Sequence, residues 1–257
     1  MTQCALLGIP SSGSDWFASC IKKVNPQLKE HPVAKEFFNP ICNQEMATQL
    51  GSAFGCEMAG TIDSIVVNDE SVLTRVYNKT WQAHGELNFT KEVFSQFKAR
   101  WFEKFFTCIY LVREASLTFP PSRLRVWCWY EAIYHSLLRR FGYPEPIGEF
   151  ADFRVRCVFA HYISLRYLVG SAPCGKVLDW KTLMLFPEDS LAALFSENLP
   201  QELNPEKLAS EVVASRSDLK MSFQDRRDQY RNLGLHNYEG AFGKFYGDYR
   251  KQEKSEP

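Results

Sequence analysis

Residues 4 to 16, Cys4-Ala5-Leu6-Leu7-Gly8-Ile9-Pro10-Ser11-Ser12-Gly13-Ser14-Asp15-Trp16, constrain this chain more than any other stretch. Cys4 to Ile9 is an apolar run with no polar face, the pattern of a strand covered on both sides by helices. Pro10 to Gly13 has no bulky side chain, so backbone N–H groups can approach an anion closely. Ser14 or Asp15 can cap the helix that follows, whose first N–H groups lack intrahelical partners and carry the positive end of the helix dipole. Strand, small-residue loop and helix start together read as a phosphate cradle.

Composition narrows the partners. Thirty basic and thirty acidic residues cancel, so no global field draws the chain onto nucleic acid or an anionic membrane, and any anion site must be local. At 257 residues and 45% hydrophobic content the chain can bury a full core, and residues 1 to 250 are expected to form one domain, with 251 to 257 a frayed tail. The eight cysteines form no C-x-x-C pair and sit mostly in apolar surroundings, which reads as buried, reduced thiols. With no signal-like start and no uncharged run of membrane-spanning length, a cytoplasmic protein is expected. No His/Cys/Asp cluster has metal-ligand spacing.

Along the chain, the pattern predicts a helix from Asp15 to Val24 and another over Asn43 to Met58. A second strand is expected in the β-rich run Arg75 to Thr80, and helical periodicity through Phe94, Phe97, Trp101 and Phe105 predicts a helix over Phe89 to Phe105. Phe106 to Val112 is the clearest later strand and ends in Arg113. Helices are expected from Pro121 to Phe141 and from Phe150 to Leu168, a short strand over Lys176 to Trp180, and a helix opening at Pro187. In a parallel sheet built from crossovers, the Gly13 loop and Arg113 would face one crevice.

The spacing of Gly8 and Gly13 is that of a Walker A loop, but Gly13-Ser14-Asp15 replaces the required Gly-Lys-Ser/Thr, which disfavours an ATP or GTP hydrolase. Pro10, Ser12, Gly13 and Trp16 instead match the loop Pro-Lys/Arg-Ser-Gly-Thr-Thr-Trp. The stretch resembles the 5′-phosphosulfate loop of sulfotransferases that use 3′-phosphoadenosine-5′-phosphosulfate (PAPS). Tyr110-Leu111-Val112-Arg113 is similar to that family's 3′-phosphate strand, whose serine falls at Pro121 here, one residue before Ser122. Trp129-Tyr130-Glu131 resembles a further family segment.

The resemblance implies an α/β fold with a central, mostly parallel sheet of four to five strands flanked by helices, of the P-loop type. It implies transfer of a sulfuryl group from PAPS to a hydroxyl or amine of an unknown acceptor, without a metal. Ser11, Ser12, Gly13, Ser14, Asp15 and Trp16 would then hold the 5′ end of the nucleotide, and Arg113 with Ser122 the 3′-phosphate. His84, with Glu86 and Glu57 behind it, would be the base, since imidazole titrates near working pH. Ser11 stands where the family has a catalytic Lys or Arg, and a donor of this kind contributes ~3–4 kcal/mol to the transition state. Lys79, Arg123 and Arg125 are candidates to supply that charge. Two alternatives are a nucleotide-binding or interaction protein without turnover, which Ser11 and Asp15 would explain, and a P-loop small-molecule kinase, for which the loop lysine is missing.

Overall fold

The computed structural model describes residues 3–31, 36–39, 70–94, 96–119, 124–172, 176–195, 203–216, 223–238 and 242. At its centre four strands, β1 (Cys4–Gly8), β2 (Phe89–Glu92), β3 (Thr107–Val112) and β4 (Val177–Asp179), form one sheet in the order β2-β1-β3-β4. All three pairings are parallel, with Cys4 opposite Phe89 and Thr107, and Tyr110 opposite Val177. Every strand therefore ends on the same edge.

Alternation along the strands puts a separate core on each face of the sheet. Cys4, Leu6, Ile109 and Leu111 join one cluster with α1 (Ser14–Val24) and the later helices α7 (Trp180–Leu185), α8 (Pro187–Phe195) and α9 (Pro205–Ser215). Ala5, Leu7, Cys108 and Tyr110 join another with α2 (Glu70–Val76), the π turn Tyr77–Trp81 and α3 (Ala99–Phe102). With both faces covered, β1 reads as an unbroken apolar run. A third cluster lies between α5 (Leu124–Phe141) and α6 (Phe153–Ser171) and takes in Tyr230 from α10 (Phe223–Asn232).

Local chemistry sets the helix ends. Lys22 and Lys23 sit in the last turn of α1, where the dipole favours cations, and Asn25 closes the helix by donating from Nδ2 to the Ile21 carbonyl at 2.9 Å. Asp152 caps α6 by accepting from Arg154 N–H, Asp179 caps α7 by accepting from Thr182 N–H, and Asn204 caps α9 with Pro205 in the first turn. A short helix α4 (Ala115–Thr118) follows β3.

Two sequence expectations are corrected. Arg75 to Thr80 is not a strand: Val72, Leu73, Val76 and Tyr77 are buried at helical spacing, so α2 and the π turn occupy the segment. Phe89 to Phe105 is not one helix: Phe89–Glu92 pairs with β1, and only Ala99–Phe102 is α-helical. The expected helix at Asn43 to Met58 and the tail at 251 to 257 lie outside the described residues. Among the described residues no helix is long and apolar enough to cross a membrane, and Cys4, Cys20, Cys108, Cys128 and Cys157 are free thiols, all but Cys128 buried.

Candidate functional site

The loop after β1 turns at Ser11 (φ 64°) and Gly13 (φ 92°), both in the left-handed region. Only glycine enters that region without strain, and Gly13 also needs the space, because a Cβ there would stand 2.6 Å from Trp180 Nε1. A Cβ on Gly8 would stand 2.5 Å from Ser12 Oγ, so the loop folds back onto the end of its own strand. Ser12 N–H donates to the Ile9 carbonyl at 3.0 Å, while the buried Ser12 hydroxyl oxygen has no hydrogen-bond partner. The bond from Phe17 N–H to the Gly13 carbonyl opens α1 and leaves the N–H groups of Ser14, Asp15 and Trp16 ahead of it.

Arg113, immediately after β3, is 5% exposed and donates from Nη1 to the Ser11 carbonyl at 3.0 Å. Its guanidinium carbon lies 3.7 Å from the centre of the Trp180 ring. Behind it His161 stands within 3.2 Å of Thr118 Oγ1 and bonds to the Arg113 backbone. Burial drives the His161 pKa down to about 3, so the imidazole is neutral. The Tyr130 hydroxyl donates to the Pro10 carbonyl at 2.9 Å, and burial raises its pKa, which keeps it a donor. These contacts fasten the loop from two sides.

Two cavities open on the loop. The larger, about 670 Å³, is lined by Ser11, Gly13, Asp15, Trp16, Arg113, Leu124, Arg125, Val126 and Trp129. A smaller one of about 170 Å³ shares Ser11, Gly13, Asp15, Arg125 and Trp129 and adds Ser14, Glu36, Asn39, Val93 and Phe94. Arg125 lies over the Trp129 ring at 5.0 Å, which puts a cation and an aromatic face on the wall common to both.

Two acidic residues that line the smaller cavity are tied to one buried lysine. Lys91, in β2, reaches Asp15 Oδ1 at 2.6 Å and Glu36 Oε1 at 2.8 Å, while Asn39 Nδ2 donates to the other Glu36 oxygen at 2.5 Å. The Lys91 side chain is 4% exposed. Burial opposes its charge, but the Glu36 and Asp15 carboxylates outweigh burial and raise its pKa. Asp15, on the exposed side of α1, thus turns to a lysine and not to the loop.

Of the residues expected from sequence, Ser11, Gly13, Asp15, Trp16 and Arg113 meet at the larger cavity. Ser14 lines the smaller one, and Ser12 is buried under the loop. His84 is not brought there. It precedes β2 in the chain, lines neither cavity, and its ring packs 5.0 Å from His31 and 6.4 Å from Phe37. Ser122 and Arg123 lie outside the described residues. Of the candidates for the missing loop charge, Arg125 lines both cavities and Lys79 neither. Glu36 and Lys91 were not foreseen: Lys91 sits in a stretch that reads as helix, and Glu36 in an irregular stretch rich in proline.

Among the described residues no group of three or more His, Cys, Asp or Glu side chains is placed to hold a metal ion. No protein-family model, no curated protein and no solved structure matches the chain.

Proposed function

We propose that the chain is a sulfotransferase that binds PAPS in the larger cavity and transfers its sulfuryl group to a hydroxyl or amine. One observation carries the reading: at the carboxyl edge of a parallel sheet, the start of α1, Arg113, Arg125 and the rings of Trp16 and Trp129 border a single cavity. Such an edge is where open parallel α/β sheets take nucleotides, and a P-loop type for this sheet rests on the resemblance of the Gly13 loop. The fit is chemical as well. A helix start and two guanidinium groups suit an anion with two phosphate-like ends, and the tryptophans suit a purine. The free thiols suit a cytoplasmic setting.

PAPS supplies a sulfuryl group on a good leaving group. The acceptor oxygen or nitrogen bonds to sulfur, the bond from sulfur to the 5′-phosphate oxygen breaks with its electron pair, and the acceptor's proton is left to be taken up. We assign that proton to Glu36, which lines the smaller cavity beside the loop, and whose carboxylate Lys91 and Asn39 keep ionised and orient. Arg125, on the wall of both cavities, brings positive charge to the neighbourhood where Ser11 has none.

A second reading, binding without turnover, is favoured by the same triad: the Lys91 charge is already matched by two carboxylates. Release of adenosine 3′,5′-bisphosphate from PAPS in the presence of a panel of alcohols, phenols and amines separates the two. The transfer reading expects acceptor-dependent release that falls ~100-fold or more in Glu36→Gln while bisphosphate binding persists. Binding without release supports the second reading. Absence of binding defeats both.

A further inference from the structure

Glu92, the last residue of β2, is 2% exposed, and a buried carboxylate is costly without hydrogen bonds. Its Oε1 accepts from the Thr90 hydroxyl at 2.6 Å and from the Phe38 N–H at 3.0 Å. Phe38 is two residues after Glu36, whose carboxylate is bound to Lys91. Consecutive strand residues point to opposite faces, yet Lys91 and Glu92 both hold the segment 36–39. The segment therefore wraps the end of β2, with the Phe38 ring buried against Trp81, Trp101, Phe102 and Phe106.

We propose that Glu92 is a positioning residue: through the Phe38 N–H it fixes the 36–39 segment and so sets where the Glu36 carboxylate stands in the smaller cavity. The catalytic meaning of that position rests on the reading of Glu36 as proton acceptor. The anchoring itself does not.

The groups around Glu92 make the anchor sensitive to pH. Glu36 faces it from the segment it holds, Lys91 and Thr90 lie on its own strand, and Lys98 approaches from the stretch before α3, across a void of about 10 Å³. Burial, then the Glu36 charge, push the Glu92 pKa up to about 8, against the smaller opposing effects of Thr90, Phe38 and Lys91. Burial brings Lys98 down to about 8, while the Glu92 charge works the other way. A carboxyl whose pKa is raised by attachment favours detachment once it ionises. The segment is thus held with Glu92 protonated and loosens as pH rises through about 8, where Glu92 and Glu36 repel each other.

Amide hydrogen exchange of Phe38, with the intrinsic base-catalysed rate divided out, tests this directly. In the wild-type chain protection should fall roughly tenfold between about pH 7 and about pH 9. Glu92→Gln keeps an acceptor and removes the Glu92 titration, leaving only that of Lys98, so its protection should change much less. Glu92→Ala removes the acceptor and should exchange fast throughout. A flat wild-type profile, or an equal fall in Glu92→Gln, overturns the proposal, and Glu92→Gln keeps the test open should Glu92→Ala not fold. Adenosine 3′,5′-bisphosphate binding, measured on the same proteins, fails separately if the nucleotide reading is wrong.

Discussion

The guanidinium carbon of Arg113 stands 3.7 Å above the Trp180 ring, and the Trp180 indole nitrogen is the atom that a side chain at Gly13 would strike. Arg113 also holds the Ser11 carbonyl, so one cation joins the end of β3, the start of α7 and the loop that carries Gly13. The loop is shaped by the turn from β4 into α7 as much as by its own residues.

Arg113 is therefore a brace for the loop and, under the proposed function, also a group that meets the nucleotide. Arg113→Ala should cost ~1–3 kcal/mol of stability through the lost stack and hydrogen bond. It should also weaken adenosine 3′,5′-bisphosphate binding by more than about tenfold, the effect of a lost charge-assisted bond. Arg113→Lys keeps the charge without the planar fork and should recover only part of either loss. Urea denaturation and calorimetric titration measure the two effects separately.

Gly13→Ala should destabilise the chain by at least ~1–3 kcal/mol, because it puts a Cβ both at φ 92° and 2.6 Å from Trp180 Nε1. Gly142→Ala is the control, since it too has a positive φ but nothing within 4 Å of the added carbon. A larger fall in melting temperature for Gly13→Ala than for Gly142→Ala isolates the Trp180 contact.

Removing Lys91 leaves the Glu36 carboxylate, 11% exposed, without its counter-charge. Lys91→Met should cost ~3–5 kcal/mol, and adding Glu36→Gln should return much of it. A denaturation double-mutant cycle gives the coupling, and simple additivity would show that the pair is not a unit.

His161 predicts an acid limb in stability. Its folded pKa, about 3, lies below the ordinary value, so between about pH 6.5 and about pH 3 the unfolded chain binds the extra proton. This contribution is present above about pH 6.5 and is lost as pH falls toward 3, amounting to on the order of several kcal/mol. His161→Gln should show a shallower decline than the wild-type chain over that range in midpoint denaturant concentration against pH.

The elements that were legible from sequence are those whose burial is uniform. β1 and β3 are covered on both faces, so their apolar runs are unbroken, and the loop between β1 and α1 is marked by the absence of large side chains. β2 was illegible because Lys91 and Glu92 are charged and buried, and what makes that tolerable comes from Asp15, Glu36 and the Phe38 N–H, distant in sequence. That one displacement moved the site. With the second strand placed at 75 to 80, His84 falls just after it, on the edge that carries the loop. With the strand at Phe89–Glu92, His84 falls before it in the chain and lines neither cavity. Local periodicity carries no trace of an ion pair formed across the fold, and so Glu36 and Lys91 emerge only from the packing.

The central claim is an anionic adenine nucleotide held between the Gly13 loop and Arg113, and calorimetric titration with adenosine 3′,5′-bisphosphate, with ATP and Mg²⁺ run in parallel, tests it most directly. Saturable binding of the bisphosphate, weaker or absent binding of ATP, and loss of the bisphosphate signal in Arg113→Ala are expected. Equal binding of the bisphosphate by the wild-type chain and Arg113→Ala, or no binding by the wild-type chain, would contradict the claim.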